Sequence, residues 1–511
     1  MNRRPFIRKV IYLAAVAVLL VPLSMLSMPA HKRDGGESAG GGYLARLRDE
    51  QKLSQANLGE IDPTGAALKL ATLGMQPIAV YVLQGKAVDA RLKEDWTVLR
   101  ATLDQITKLQ PNFVPAWQFQ GWNLSYNISA EFDDYQKRYF WVIEGTRFLQ
   151  QGTKYNETSP RLLKDVGWVL GHKIGRADEH KQFRKLFVAD DDYQKHDADM
   201  LGLPSTRPVE LRDNWLVGRD WHLQAQKVKE NGGALGGMSE LLFYEHAPRC
   251  RISFAEAMEE DGIFEERAQV AWQNALFDWT ELGKRETPTY IDRLIRLTDL
   301  DVLKPQAVKM KEKLDAMPPG DMRAKIVAEK RGSLTPQERR AFDTAVEART
   351  AEEHQLAGAA AMKLETTHDE VAGRVDAAQR KEAQDLANEL KLLEEQIRLT
   401  DSARGTVNYA FWLARCEMEG MPNVIDARRL IAKGEAAYQE GDLLGAQQSY
   451  EQGFAKWGPA VKQFPIVFKD SAFGDEIMEV INRYKVVLDK QELTLPKDFV
   501  LNDVIEWHKN Q

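Results

Sequence analysis

The stretch AVDARLKEDWTVLRATLDQITKLQPNFVPAWQFQG, residues 87–121, decides the fold of this chain. A first helical pattern runs up to a polar corner at Glu94–Asp95. A second pattern places an apolar residue every three or four positions from Leu99 to Leu109, and Pro111 ends it. Another helical pattern begins at Trp117. The stretch therefore predicts two short antiparallel helices followed at once by a third.

Length and composition restrict the class of protein. A chain of 511 residues is too long for one compact core, so we expect several folded units. Hydrophobic residues make up 43% of the chain and charged residues 28%, a balance typical of folded proteins. The formal net charge of −7 argues against a nucleic-acid binder, because such proteins are usually basic. We expect no nucleic-acid partner.

The helix-pair spacing recurs in GEAAYQEGDLLGAQQSYEQGFAKWGPA, residues 434–460. Its small, aromatic and corner residues are Gly434, Tyr438, Gly441, Asp442, Ala446, Tyr450, Gly453 and Pro459. This pattern resembles the tetratricopeptide (TPR) repeat, in which small residues let paired helices approach closely and an aromatic side chain fills the next groove. Looser matches begin at Ala87, at Trp117 and after Pro160. The resemblance implies α-solenoid pieces whose groove binds a peptide or helix of a protein partner.

The N-terminus predicts a membrane anchor. Residues 1–9 carry four positive charges and no acid, and residues 10–30 carry no charge. A helix of that length rises about 31 Å, which is enough to cross a bilayer core. Leu26 and Met28 fit a signal-peptidase site poorly, so an uncleaved signal-anchor is favoured over a cleaved signal peptide. Residues 31–42, HKRDGGESAGGG, predict a flexible tether.

The positive flank predicts a cytoplasmic tail at residues 1–9 and places the bulk of the chain outside the cytoplasm, on the periplasmic side in a bacterium. Behind the tether we predict an all-α chain of TPR-like hairpins with one charged long-helix segment. Its parts are an N-terminal TPR-like domain (43–204), a middle helical module (205–300), a charged coiled-coil-like segment (301–405) and a C-terminal domain with a TPR-like hairpin (406–511). Residues 205–300 fit either divergent repeats or a separate module. The chain resembles large membrane-anchored bacterial TPR-like proteins.

Several packing expectations accompany this architecture. Residues 78–83 are expected on the buried side of the first hairpin, and Phe473–Leu488 as the last helix. A 3-4-3-4 apolar seam is formed by Ala383, Leu386, Leu390, Leu393 and Ile397. Two heptads are short for a coiled coil, so packing within the protein is favoured, with oligomerisation through residues 383–397 as the alternative. The core is expected to take in the large aromatics Trp117, Trp122 and Trp168.

The sequence holds no recognised catalytic motif. The glycine-rich stretch Asn231–Ser239 has no lysine placed to bind a phosphate and is predicted to be a plain loop. His246 and Cys250 have the residue types of an activated cysteine nucleophile, but Pro248 between them predicts an interrupted helix. The acidic stretch Val188–Asp199 lacks the spacing and the glycine of a calcium loop and is predicted to be a solvated connector.

We therefore predict no catalytic residue, cofactor or metal. The leading hypothesis is a non-enzymatic, membrane-anchored extracytoplasmic scaffold that binds protein partners through its repeats. The alternative is an envelope enzyme with a site in residues 205–300 around His246 and Cys250. Whether Cys250 pairs with Cys416 is open, because outside the cytoplasm two cysteines can form a disulfide.

Overall fold

The structure is a computed structural model that describes Val18, His31–Lys32, Ser38–Ala39 and Gln76–Lys509. The predicted anchor at residues 10–30, apart from Val18, and the helices expected between Tyr43 and Leu73 lie outside the described residues. Among the residues that are described, no helix combines the length and the apolar character that crossing a membrane requires. The chain divides into two compact units, Met1–Ala275 and Leu276–Gln511.

The described part is all-α, with two short antiparallel strand pairs. Strand β1 (His31–Lys32) pairs with β2 (Ser38–Ala39) within the predicted tether, and β3 (Thr287–Pro288) pairs with β4 (Leu294–Ile295). The helices of the first unit are α1 (Gln76–Leu92), α2 (Trp96–Leu109), α3 (Val114–Trp122), α4 (Tyr135–Tyr155), α5 (Pro160–Trp168), α6 (His180–Ala189), α7 (Asp191–Leu201), α8 (Asn214–Glu230) and α9 (Glu240–Glu260). Helix α10 (Glu266–Lys284) contains the boundary between the units.

The helices of the second unit follow in the same order along the chain. They are α11 (Leu300–Ala316), α12 (Met322–Gly332), α13 (Pro336–Asp343), α14 (Ala351–Leu364), α15 (His368–Gly373), α16 (Arg380–Thr406), α17 (Tyr409–Glu419), α18 (Pro422–Gln439), α19 (Leu443–Gln463), α20 (Pro465–Phe468), α21 (Ser471–Asp489) and α22 (Asn502–Lys509). Short 3-10 turns lie at Val209–Leu211, Leu297–Asp299 and Val346–Ala348. The prediction that Phe473–Leu488 is the last helix is wrong, because α22 follows it.

Helices α1 and α2 form the pair predicted from residues 87–111. Asp95 caps α2 by accepting a hydrogen bond from the Val98 backbone N–H at 3.1 Å. The apolar positions of α2 are buried, as the spacing from Leu99 to Leu109 predicts. The expectation for residues 78–83 is wrong for most of the apolar run: Val80 is buried, whereas Ile78, Tyr81 and Val82 are exposed.

The predicted acidic connector is a helix. Residues Asp191–Leu201 form α7, and Asp190 caps it. Asp197 is completely buried and accepts hydrogen bonds from the indole of Trp221 and the guanidinium of Arg207, each at 2.7 Å. The amide of Gln150 donates a third, at 2.8 Å. The connector prediction is wrong because these buried donors replace the water that a solvated carboxylate would need.

Helices α18 and α19 pack as a close antiparallel pair at the strongest match of the sequence. Gly441 turns the corner with a left-handed φ of 83°, and Asp442 caps α19 by accepting from the Gly445 N–H at 2.9 Å. A Cβ atom on Gly434 would lie 3.2 Å from the ring of Tyr450, so a small residue is needed there. Pro459 does not end the helix as expected, since α19 continues to Gln463.

The charged segment packs within the second unit. Helix α16 is 27 residues long, and its seam positions Ala383, Leu386 and Leu390 are buried. Their apolar partners lie on α11, α12 and the α15 region of the same chain. Thr335 and Glu338 form the predicted capping box at the start of α13. The seam is therefore covered by the chain's own helices.

Candidate functional site

Two π-helical segments lie in the first unit, each extending an α-helix. Asn123–Ile128 continues α3, and Val169–Lys173 continues α5. A π-turn adds a residue to the helical turn, which shifts the side chains that follow it and often marks a functional position. The two segments contact each other, and the ammonium of Lys173 lies 5.2 Å from the ring centre of Tyr126.

Aromatic rings follow these two segments and continue onto α8 and α9. We call this set the aromatic ribbon, and its members are Phe119, Trp122, Tyr126, Trp168, His172, His222 and His246. Centroid separations are 6.5 Å for Phe119–Trp122 and 6.1 Å for Trp122–Tyr126. Beyond Lys173, Trp168 stacks on His172 at 3.5 Å and meets His246 edge-on at 5.6 Å. His246 in turn stacks on His222 at 5.1 Å.

Two tryptophans expected in the core are on the surface of this ribbon. Trp117 is buried as expected, and its indole N–H donates to the Pro111 carbonyl at 2.8 Å. Trp122, in contrast, is 47% exposed and Trp168 is 38% exposed. The core prediction is wrong for these two because each ring lies on the outer side of a helix whose small residues face inward. The large apolar rings are therefore available to a partner.

Small residues bring α5 and α8 into backbone contact beneath the ribbon. A Cβ atom on Gly167 would lie 2.7 Å from the Gly218 carbonyl and 2.8 Å from the His222 ring. One turn further on, a Cβ atom on Gly171 would lie 2.9 Å from Trp215. Any larger residue at Gly167 would push His222 away from α5, so this close approach fixes the position of the histidine.

The three histidines of the ribbon are neutral near pH 7. Burial lowers the pKa of His172 to about 4, and the positive charge of Arg176 lowers it further. Burial and the charge of Lys164 likewise lower the pKa of His246 to about 4. Burial holds the pKa of His222 well below its usual range. The nearby charges acting on these rings are cationic, so this surface is electropositive although the chain as a whole is acidic.

His246 and Cys250 lie on one continuous helix, which corrects the predicted interruption at Pro248. Proline removes the N–H that would pair with the carbonyl four residues earlier, that of Tyr244. The side-chain amide of Gln226 on α8 donates to that carbonyl at 3.3 Å and so replaces the missing partner. The cost of Pro248 is thereby reduced, and α9 runs through it.

The two residues nevertheless have different surroundings. His246 stacks in the ribbon, while Cys250 packs with Trp215 and Phe254 in a small buried cluster. Burial raises the pKa of the Cys250 thiol to about 12, so it keeps its proton at neutral pH and is a poor nucleophile. Cys250 and Cys416 are both buried free thiols.

The remaining candidates from the sequence bring no metal chemistry. Asn231–Ser239 forms the predicted loop between α8 and α9. Within the described residues, no three His, Cys, Asp or Glu side chains are arranged to hold a metal ion. Comparisons with protein-family models, curated proteins and solved structures match nothing to this chain.

The sequence interpretation passed over His172 and His222, although a signal for their neighbourhood was present. Gly167, Gly171 and Gly175 are each four residues apart, a spacing that places all three on one side of a helix. Such a row allows another helix to approach at backbone distance. The helix that does so, α8, carries His222.

Proposed function

We propose that this chain is a non-enzymatic scaffold that binds a protein partner on its aromatic ribbon, using helix pairs of the TPR type as the framework. The observation that carries the proposal is the exposure of Trp122 and Trp168 at neighbouring π-helical segments. They belong to the second and third predicted hairpins, so a partner that covers both would contact consecutive repeats. Trp and Tyr are the residues most often found at the energetic centre of protein interfaces.

The TPR assignment is supported by local packing in the second unit. Gly434 and Gly453 each lie where an added Cβ would come within about 3 Å of the opposing helix's side chains. The Tyr450 hydroxyl donates to Glu435 at 2.8 Å, joining the two helices across the groove. Close approach, a capped corner and an interlocking aromatic are the features that the repeat requires.

Charge indicates the partner's chemistry. Lys164 and Lys173 lie over ribbon rings, and Arg176 and Arg249 act on the histidines from the same region. An apolar or aromatic side chain of the partner would stack on Trp168, and an adjacent carboxylate would meet these cations. We therefore propose an acidic segment with exposed apolar residues as the bound element.

We place this scaffold outside the cytoplasm, held by the uncharged segment at residues 10–30. The basic residues before it and the absence of charge within it support an N-terminal signal-anchor. On this proposal the protein gathers partners at the cell envelope. Assembly, rather than catalysis, is its task.

Affinity capture from the organism's own envelope tests the proposal. The bait is the full chain, compared with Trp122→Ala/Trp168→Ala and with Phe277→Ala as control. Phe277 is 65% exposed on α10 and belongs to the other unit, so its loss removes a surface aromatic away from the ribbon. Proteins retained by the wild type and Phe277→Ala but lost with the double variant support the proposal. An identical set with all three baits would reject it.

A further inference from the structure

A second cavity in the first unit is separate from the aromatic ribbon. Its volume is about 740 Å³, within the range of small-molecule sites. It lies where three helices converge: residues 97–104 of α2, residues 141–155 of α4, and His196 with Met200 of α7. Glu144, Arg147, Gln151 and Lys154 of α4 follow one another at three- or four-residue intervals and therefore share one helix face.

The inner wall of this cavity is apolar. Leu103, Leu124 and Trp141 are buried side chains of its lining, and Phe148 and Met200 extend the same wall. Such a wall gains free energy when it covers a hydrocarbon body, at roughly 25 cal/mol per Å² of apolar area removed from water.

The polar side of the cavity has more donors than its own acids use. The acids are already paired: Glu144 with Arg100 at 2.5 Å, and Asp104 with Lys108 at 2.8 Å. Lys154 forms no ion pair with any residue in the described part of the chain. The Arg147 Nε and the His196 Nε2 atoms are buried there without a hydrogen-bond partner.

These three donors surround one end of the cavity. Burial lowers the pKa of His196, and the charges of Arg147 and Lys154 lower it further, so the imidazole is neutral and can donate one N–H. A bound oxyanion would supply the acceptors that Arg147 and His196 lack and the charge that Lys154 lacks.

We propose that this cavity binds a small amphiphile with a single anionic head, a carboxylate or a phosphate monoester, and an apolar body. The head would lie among Lys154, Arg147 and His196. The body would cover Trp141 and Leu103. This site is independent of the aromatic ribbon, so the two proposals can fail separately.

Calorimetric titration of the full chain tests the site with three probes of equal chain length, all below their micellar concentration. Decanoate and decyl phosphate carry the two head groups, and decanol carries none. Lys154→Gln should weaken the anionic probes about tenfold and leave decanol unchanged, because one charge-assisted contact is lost. Lys195→Gln, an exposed lysine on α7 outside the cavity lining, is the matched control and should change nothing.

The two anionic probes identify the head group. Tighter binding of decanoate assigns a carboxylate, and tighter binding of decyl phosphate assigns a phosphate. The proposal is overturned if neither anionic probe shows saturable binding up to about 1 mM, the weak end of specific affinity. Equal affinity of decanol and the anions, or equal loss in both lysine variants, would overturn it too.

Discussion

Replacing the buried Asp197 should destabilise the first unit severely. Its side chain has no exposed surface, and Arg207, its ion-pair partner, is 7% exposed. Asp197→Ala leaves the Arg207 charge without its closest partner and removes the acceptor of the Trp221 indole and the Gln150 amide. Burial raises the pKa of Asp197 while Arg207 lowers it, so the carboxylate is held charged by these donors.

The magnitude follows from the loss of one member of a buried ion pair, which costs about 3–5 kcal/mol. The remaining contact of Arg207, with Asp220 at 2.9 Å, is partly exposed and offsets little of this loss. We therefore expect the free energy of unfolding of the first unit to fall by about 3–5 kcal/mol.

Urea unfolding with hydrogen exchange read by mass spectrometry measures this loss, because exchange assigns each transition to one of the two units. Asp199→Ala is the control: the residue lies two positions along the same helix and is exposed. It should change stability by less than about 0.5 kcal/mol. A loss below about 1 kcal/mol in Asp197→Ala would refute the reasoning, since an unpaired buried Arg207 should cost more.

Two further predictions concern pH and packing. The pKa values of His172 and His246 are lowered from 6.5 to about 4. The unfolded chain therefore binds more protons between these values, and the stability of the first unit should fall by about 1–3 kcal/mol in total as pH drops through this window, after allowance for solvent screening. Urea midpoints at pH 7 and pH 4.5 measure the fall, and His246→Phe should reduce it; an unchanged slope would contradict the assignment. Gly434→Leu should cost the second unit about 1–3 kcal/mol by crowding Tyr450, whereas Gly405→Leu, at a glycine with open space, should cost nothing in the same unfolding assay; equal losses would contradict the packing account.

Local patterns in the sequence predicted the helix ends well. Asp95 and Asp442 were identified as corner residues, and both cap the helix that follows. The Thr335–Glu338 capping box was likewise predicted and is present. These features depend on neighbours a few residues away, so sequence spacing contains the information that they need.

Features that depend on distant residues were missed. Pro248 is tolerated because Gln226, on another helix, replaces a hydrogen-bond donor. Asp197 is buried because Trp221 and Arg207 reach it from outside its own helix. The π-helical segments also left no periodic signal, because one extra residue in a turn does not alter the composition of the helix. The ribbon was therefore found only from the structure.

The affinity of a purified partner for the ribbon tests the central claim most directly. Once capture has identified a partner, its Kd is measured by calorimetry against the wild type, Trp168→Ala and Phe277→Ala. A tryptophan at the centre of an interface contributes about 2 kcal/mol or more, so Trp168→Ala should raise the Kd about 30-fold or more. Phe277→Ala should leave the Kd unchanged. A Kd for Trp168→Ala within about twofold of the wild type would contradict the assignment of the ribbon as the docking surface.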